Sequence, residues 1–240
     1  MKKIDASLYD HRALNEALRA APEEVTLENC CGQRFIGTGF TGHKITIEGV
    51  PGNALGAYLN GGEIIVHGNA QDAVGDTMNA GRILVHGSIG DAAGYAMRGG
   101  EIYVRGDAGY RAGIHMKEYN DKRPVMVIGG TCGSFLGEYQ AGGMILVLGL
   151  SRGEKKIVSN FPGTGMHGGK MFLRARADDL IFPSYVTVSE ATKEDLSEIG
   201  PYIEEFCRQF GYDADDVLHS YFTKVVPDSK NPYKQMYAAN

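Results

Sequence analysis

The 240-residue sequence predicts a mainly β protein, in which a parallel β-helix of about seven turns occupies roughly residues 25–188 and helices lie at both ends. Three observations predict this fold. Glycine accounts for 34 residues, about twice its usual ~7% share, although proline accounts for only 8. Many of these glycines recur every 19 residues, and each repeat contains one short run of Ile, Val and Leu. A disordered glycine-rich chain would lack such strand-forming runs, so the glycines are expected at defined positions of an ordered coil.

The repeat is clearest in three stretches, GGEIIVHG, AGRILVHG and GGEIYVRG, which end at Gly68, Gly87 and Gly106. A unit of 19 residues is too short for a helix pair or a propeller blade, but it fits one turn of a solenoid made of strands. Glycine between the strands lets the chain adopt positive φ at a corner. The predicted corner glycines are Gly49, Gly56, Gly68, Gly75, Gly87, Gly94, Gly106, Gly113, Gly129, Gly137 and Gly149.

Stacked turns place equivalent residues in columns, with neighbours about 4.8 Å apart. Two columns that lie two residues apart are apolar throughout, so both are expected to face the core. A third column is rich in methionine, which indicates core packing and not a cofactor site. The first column is Ile45, Ile64, Ile83, Ile102, Val125, Ile145 and Met171; the second is Ile47, Val66, Val85, Val104, Val127, Val147 and Leu173; the third is Leu59, Met78, Met97 and Met116.

The outward-facing position of each strand is also apolar, although a face in contact with solvent should alternate to polar residues. This stripe is therefore expected to be covered, either by helices of the chain or by a partner protein. The residues predicted as a partner-contact stripe are Ile65, Leu84, Tyr103, Met126, Leu146 and Phe172.

The ends of the chain have a different pattern. Residues 1–24 are predicted as a helical lead-in, with a helix over residues 10–20 that Asp10 caps. From residue 189 to 240 the apolar spacing becomes helical; Pro201 is expected to break or start a helix, and Asp213 to open another. These helices would cap the exposed strand edges or cover the outer stripe. The tail from Val226 has no periodicity and is interpreted as a disordered segment or an arm on a partner.

A glycine-rich stretch, GTGMHGGK at 163–170, matches the dinucleotide-binding pattern. That pattern requires a helix after the glycines, whereas KMFLRA follows here in the strand position of the repeat. We therefore interpret residues 151–169 as an inserted loop, because Gly149 and Ala175 lie 26 positions apart where the repeat requires 19. Insertions in solenoids often carry contacts with other molecules.

Two histidines, His67 and His86, occupy equivalent positions between Glu48 and Arg105. Two imidazoles and a carboxylate could bind a metal, but the neighbouring arginine favours a stacked polar ladder. A second polar column is expected to bond the backbone of the corners; it contains Asn53, Asp72 and Asp91. No catalytic motif is present, so no catalytic, cofactor-binding or metal-binding residue is predicted. The four cysteines lack metal-type spacing and are predicted to be free thiols.

The overall composition argues against some classes of partner and some cellular compartments. The formal net charge of −5 gives no reason to expect nucleic acid or an anionic membrane as a partner. No apolar run reaches the ~18 residues of a membrane span, and the start MKKIDASLYD lacks the apolar stretch of a signal peptide. The expected location is therefore the cytoplasm.

Two longer stretches, GGEIYVRGDAGYRAG and TCGSFLGEYQAGG, resemble the GXGXG domain, the C-terminal region of the large subunit of glutamate synthase. One of the subunits of formylmethanofuran dehydrogenase shares this fold, and the resemblance covers about residues 25–225. It implies a right-handed β-helix that holds an amidotransferase part and an FMN-binding synthase part together. It also implies that FMN and iron–sulfur clusters are bound by partner subunits and not by this chain.

The resemblance implies a non-catalytic scaffold subunit of a glutamate synthase-like complex, with amidotransferase and FMN-binding synthase subunits as partners. Two alternatives remain open. The chain could belong to a one-carbon oxidoreductase of the formylmethanofuran dehydrogenase type, with the insertion and the two histidines lining a site. It could also be a homo-oligomeric β-helix module that uses the outer stripe as a symmetric interface.

Overall fold

A computed structural model describes residues 2–176, Asp178 and residues 180–228. Nine strands, β1 to β9, pair in parallel in chain order, and the sheet ends with β11 and β10. Each strand therefore lies on the preceding one, which makes a right-handed parallel β-helix of about eight turns and confirms the predicted fold class. The elements are β1 (Lys2–Asp5), α1 (His11–Arg19), β2 (Glu24–Cys31), β3 (Lys44–Val50), β4 (Asn60–His67), β5 (Ala80–Val85), β6 (Glu101–Val104), β7 (Val125–Ile128), β8 (Ala141–Val147), β9 (Gly168–Leu173), β10 (Val186–Glu190), α2 (Lys193–Phe210), α3 (Ala214–Leu218) and β11 (Thr223–Pro227).

The N-terminal segment is more than the predicted helical lead-in, because β1 adds a strand to the coil. Ile4 pairs with Leu27 of β2, and α1 forms the connection between these two strands. Asp10 caps α1 as predicted: its Oδ1 accepts hydrogen bonds from the backbone N–H groups of the second and third helical residues. Leu14 and Leu18 of α1 are buried against the interior of the coil, so this helix closes the first turn.

The predicted inner columns are confirmed from β3 to β6 and are wrong by one residue at β7. Ile102 pairs with Met126 and Val104 pairs with Ile128, so these side chains face the core, while Val125 and Val127 face outward. The turn before β7 has five extra residues that form a small hairpin between Tyr119 and Lys122. Because all four residues of β7 are apolar, the sequence VMVI contains no alternation that could fix its register.

The shift at β7 also corrects one corner glycine. Gly130 donates its backbone N–H to Gly106 O and continues the corner series, whereas Gly129 lies one position earlier, at the end of the strand. A Cβ on Gly129 would lie 2.5 Å from Cζ of Phe206 in α2. Glycine is therefore needed at position 129 because the carbonyl of Arg105 in the preceding turn and the ring of Phe206 both pack directly against its backbone.

The predicted positive φ is confirmed at most of the corner glycines, but a second cause operates at the others. Residues Ala54, Gly56 and Tyr58 have φ values of 63°, 64° and 56°, and this alternation of left-handed residues recurs turn after turn. At Gly68 φ is not positive; a Cβ there would lie 2.6 Å from Gly49 O of the preceding turn. The predicted glycines with positive φ are Gly49, Gly56, Gly75, Gly94, Gly113, Gly137 and Gly149; those without it are Gly68, Gly87, Gly106 and Gly129.

The outer apolar stripe is covered by the chain itself, mainly by α2. This helix is buried along one face, and its Ile199, Ile203 and Phe206 pack on the outward side chains of β5 to β9. The predicted partner contacts Leu84, Tyr103, Leu146 and Phe172 are buried in that cluster, Ile65 is partly buried beside it, and Met126 lies in the core, so the predicted partner-contact stripe is wrong for these positions. Pro201 lies inside α2 and does not end it.

Ion pairs attach α2 to the coil in addition to its apolar face. Glu198 accepts hydrogen bonds from Arg123 and Lys170, each at 2.6 Å, and Glu205 accepts one from Arg82 at 2.7 Å. Burial opposes ionisation of Glu198, but these cations outweigh it and hold its pKa below the ordinary value.

Among the described residues, no helix combines the length and apolarity that a membrane crossing requires.

The C-terminal end of the coil is closed by two antiparallel strands. After α3, which Asp213 caps as predicted, β11 pairs with β9 and β10 pairs with β11. This arrangement covers the edge that β9 would otherwise expose. The tail predicted from Val226 thus begins inside β11, and its residues from 229 onward lie outside the described part of the chain.

Candidate functional site

The two histidines weighed as a metal pair form the polar ladder that the sequence favoured. His67 Nδ1 lies 2.7 Å from Glu48 Oε1, and the rings of His67 and His86 are 5.0 Å apart. His86 also packs edge-on against Phe210 of α2, at 5.1 Å. Burial, followed by the charges of His67 and Arg105, lowers the pKa of His86 below its ordinary value of 6.5. No group of three potential metal ligands occurs anywhere in the described residues.

The second polar column, which contains Asn53, Asp72 and Asp91, hydrogen-bonds to the backbone of the corners as predicted. These hydrogen bonds run from one turn to the next. Asn53 Oδ1 accepts from the backbone N–H of Asp72 at 3.4 Å, Asp72 Oδ1 from that of Asp91 at 2.9 Å, and Asp91 Oδ1 from that of Tyr110 at 2.8 Å. Each side chain therefore ties its own turn to the next one, which is a structural role.

The glycine-rich stretch at 163–170 is one corner of the coil. Gly163 and Gly165 have positive φ, and strand β9 follows at Gly168, so no helix N-terminus faces these glycines. The predicted insertion at 151–169 is too long: Val158 already pairs with Cys132 of the preceding turn. The extra residues of this turn are confined to 150–156, because the ladder between turns has resumed at residue 157.

All four cysteines are free, as predicted, and three of them are buried. Burial raises the pKa of the Cys30 thiol to about 11 and raises that of Cys132 further. Thiols in this state are poor nucleophiles, because the thiolate is the reactive form.

One surface that the sequence analysis missed has the composition of a docking site. It lies on the left-handed corners of the later turns, and we call it the aromatic corner surface; its members are Tyr95, Arg111, His115, Phe135, Tyr139 and Phe161. The ring of His115 stacks on Tyr139 at 5.1 Å with an interplanar angle of 8°, and Phe135 lies 5.3 Å from Phe161. Tyr139 is 45% exposed and Phe161 is 55% exposed, so the rings pack on each other but remain open to a partner.

The arginine of this surface is held in a fixed position. The guanidinium of Arg111 lies 5.1 Å from the ring centroid of Phe135, and its Nε donates to Glu138 Oε2 at 2.8 Å. Tyrosine, tryptophan and arginine are the residues most enriched at the energetic centres of protein interfaces. A pre-positioned arginine beside stacked rings therefore fits protein docking better than it fits solvent exposure.

Backbone conformation marks the same surface. Arg111, Phe135 and Phe161 have positive φ, and so do His115 and Tyr139 in the second column of each corner. A side chain in this conformation costs about 1–2 kcal/mol relative to the right-handed region. The turns at Gly75 and Gly94 place small residues in the same two columns, namely Ala73, Ala92, Thr77 and Ala96, whereas the first turns have single rings there, at Phe35 and Tyr58. Large residues that face outward from strained positions do not serve the core, so a role in binding explains them better.

A signal for this surface was present in the sequence. The residues two positions before and two positions after each corner glycine change from small to large between Gly94 and Gly113. The predicted columns follow the strands, so they do not include these corner positions.

Comparison with known proteins identifies the family. The GXGXG motif family matches residues 14–229. This chain belongs to the GXGXG family. The three glycines in the name have the spacing of the three left-handed residues at each corner, of which this member usually keeps only the central glycine as Gly.

Two further comparisons cover most of the chain. The uncharacterized protein MJ1350 of Methanocaldococcus jannaschii is 46% identical over 248 aligned positions, which cover 98% of this chain and 95% of the relative. A chain in the crystal structure of the formyltransferase/hydrolase complex FhcABCD from Methylorubrum extorquens, determined with methylofuran, matches with a TM-score of 0.62 and 18% identity. That match covers 85% of this chain and 78% of the other, and at this identity it supports the fold alone.

Proposed function

We propose that this protein is a non-catalytic scaffold subunit of a multi-subunit oxidoreductase complex of the glutamate synthase type. The observation that carries the proposal is the aromatic corner surface, where exposed rings and a fixed arginine occupy strained positions that the fold itself does not require. Membership of the GXGXG family supports the assignment to such complexes. On this proposal an FMN-binding synthase subunit docks on the aromatic corner surface, and the complex also contains an amidotransferase as a further partner.

The chemistry then resides in the partners. FMN and iron–sulfur clusters would be bound by the synthase partner, and this chain would bind neither. Its own contribution would be a rigid coil, in which the eleven strands of the described residues form a single sheet. Such a body can hold two partner proteins at a constant separation, which suits a complex that passes a reactive intermediate between two sites.

A second candidate function is that of a scaffold in a one-carbon complex that acts on formyl groups. The fold similarity to a chain of the formyltransferase/hydrolase complex favours it, because that protein too is part of a multi-subunit assembly. The two candidates share the scaffold role and differ in the identity of the partners.

Co-purification tests the proposal. The full chain, isolated from native cells, should bring down an amidotransferase and an FMN-containing protein, identified by mass spectrometry and by flavin absorbance. Replacing Tyr139 and Phe161 with alanine should reduce recovery of the FMN-containing protein by about tenfold or more, because hot-spot residues typically contribute 2 kcal/mol or more.

The matched control is Tyr58→Ala, which removes an exposed tyrosine from a left-handed position of the same column as Tyr139, several turns away. Recovery should then equal that of the wild type. Undiminished recovery with the double variant would refute the assigned docking surface. Recovery of formyl-transferring partners would favour the second candidate, and light scattering that shows a stable dimer without other partners would favour a homo-oligomeric module.

A further inference from the structure

The last complete turn of the coil carries a basic groove that the proposed function does not use. Residues of the seven-residue segment 150–156, together with Arg176 and Leu180, line it, and two adjoining cavities of about 250 and 380 Å³ open along it. We call this site the basic groove. Its cationic lining is Arg152, Lys155, Lys156 and Arg176, and its polar lining includes Thr131, Ser159 and Asn160.

Arg176 is oriented by an aromatic ring. Its guanidinium lies 4.6 Å from the ring centroid of Tyr221, the residue that leads into β11. Within the described part of the chain, neither Arg176 nor Arg152 forms a salt bridge with a carboxylate. A stacked guanidinium keeps its planar fork of N–H donors in one direction, so less entropy is lost when an oxyanion binds.

A third arginine adds to the positive field. Arg174 donates from Nε to Ser220 Oγ at 2.8 Å and from Nη1 to Leu148 O at 3.2 Å, which fixes the position of its guanidinium. Burial and the nearby charge of Arg152 lower the pKa of Arg174. Among the described residues that line the smaller cavity, Glu154 is the one carboxylate, against Arg152, Lys155 and Arg176. Cations therefore outnumber acids in this described lining, although the whole chain carries a formal charge of −5.

We propose that the basic groove binds a phosphate-type oxyanion, either free phosphate or the phosphate group of a small phosphorylated ligand. The two arginine forks and Lys155, which all line the smaller cavity, would neutralise the charge and donate to the oxygens of the anion. The smaller cavity has room for a phosphate or diphosphate group, and bidentate arginine contacts match the geometry of such oxyanions. The fold does not require Arg152 and Lys155, because the other turns form without the seven-residue segment that carries them.

Isothermal titration of the full chain at low ionic strength tests this assignment, with pyrophosphate, inorganic phosphate and phenyl phosphate as separate probes. Low salt is needed because screening weakens exposed charge pairs. We expect saturable binding of at least one probe, and Arg152→Gln and Arg176→Gln should each reduce its affinity about tenfold or more, as expected for the loss of a charge-assisted hydrogen bond. Tighter binding of phenyl phosphate would indicate an esterified ligand, and tighter binding of the inorganic probes would indicate a free anion.

Two further variants separate a built site from diffuse attraction. Arg34→Gln removes an exposed cation from the first turns and should leave the affinity unchanged. Arg176→Lys keeps the charge but loses the fork and should still weaken binding. Circular dichroism of each variant verifies folding. Absence of binding at 10 mM probe (about the weakest affinity of interest), or equal affinities of the wild type and the two Gln variants, would overturn the proposal.

Discussion

At the residue scale, the central and the flanking residues of each left-handed corner have different surroundings. The central glycines of the corners face inward; a Cβ on Gly56, for example, would lie 2.6 Å from Cδ1 of Ile83 in the next turn. Flanking left-handed residues such as Tyr58, Tyr139 and Phe161 are exposed, so their side chains meet no such obstacle and cost only backbone strain. Evolution can therefore change the flanking positions freely, and in the later turns they carry the aromatic corner surface.

This difference predicts opposite effects for two adjacent alanines. Ala92 has a φ of 54°, and Ala93 lies beside it without positive φ and is fully buried. Ala92→Gly should raise the free energy of unfolding by about 0.5–1 kcal/mol, because relief of strain exceeds the added entropy of the unfolded chain. Ala93→Gly should lower it by about 1 kcal/mol. Urea denaturation measures both, and a loss of stability in Ala92→Gly would contradict the assigned conformation.

The lowered pKa of His86 predicts a pH dependence. The unfolded chain protonates this histidine near pH 6.5, whereas the folded chain resists protonation until a lower pH. The unfolded state therefore binds more protons as the pH falls from about 7 to 5, and folding stability should decrease over that range. In His86→Gln the decrease should be smaller, as measured by urea midpoints at pH 7.5, 6.5 and 5.5. Identical slopes in the two proteins would show that other groups cause the decrease.

At the scale of the element, α2 determines what the sheet exposes. Its apolar side covers the outward columns of β5 to β9, and Phe206 packs against the bare backbone of Gly129. Amphipathic spacing predicted a helix in this segment, and the apolar outer stripe predicted that something covers it. The sequence alone did not decide whether this helix or a partner protein covers the stripe. Either one would produce the same apolar pattern on the strands.

Removal of the ring at position 206 tests this packing. Phe206→Ala should lower the free energy of unfolding by about 3–5 kcal/mol, the usual cost of truncating a fully buried phenylalanine. Differential scanning calorimetry should show the loss as a lower transition temperature. The exposed Phe161→Ala serves as the matched control and should change the stability by less than about 1 kcal/mol. Equal losses in the two variants would contradict the cover role of α2.

The limits of prediction at this scale have local physical causes. The 19-residue period fixed β3 to β6 because every turn there has the same length. It failed at β7, where five extra residues coincide with a strand that is apolar on both sides. The insertion after β8 was located but overestimated, because Phe161 and Gly163 belong to a regular corner that repeats Phe135 and Gly137 of the preceding turn, and the predicted columns follow only the strands.

At the scale of the whole molecule, the coil was predictable because its order is one-dimensional: each turn depends on its neighbours only. The two surface sites were not predictable, because they depend on the directions in which side chains point, and the repeat period does not reveal these directions. The aromatic corner surface requires that left-handed residues point outward, and the basic groove combines Arg152 with Tyr221, which a strand from the far end of the chain brings near. The predicted cytoplasmic location and the cofactors of the partners stay predictions.

The stacking of single turns also sets the distances between features on the surface of the protein. Each turn advances the coil by about 4.8 Å, so any two features of the surface are separated along the axis by a whole number of such steps. The corners of Gly94 and Gly163, which bound the aromatic corner surface, are three steps or roughly 14 Å apart. Loss or duplication of one complete repeat would change the distance between docked proteins by one step without altering either contact. Spacing and affinity can therefore evolve independently in this fold.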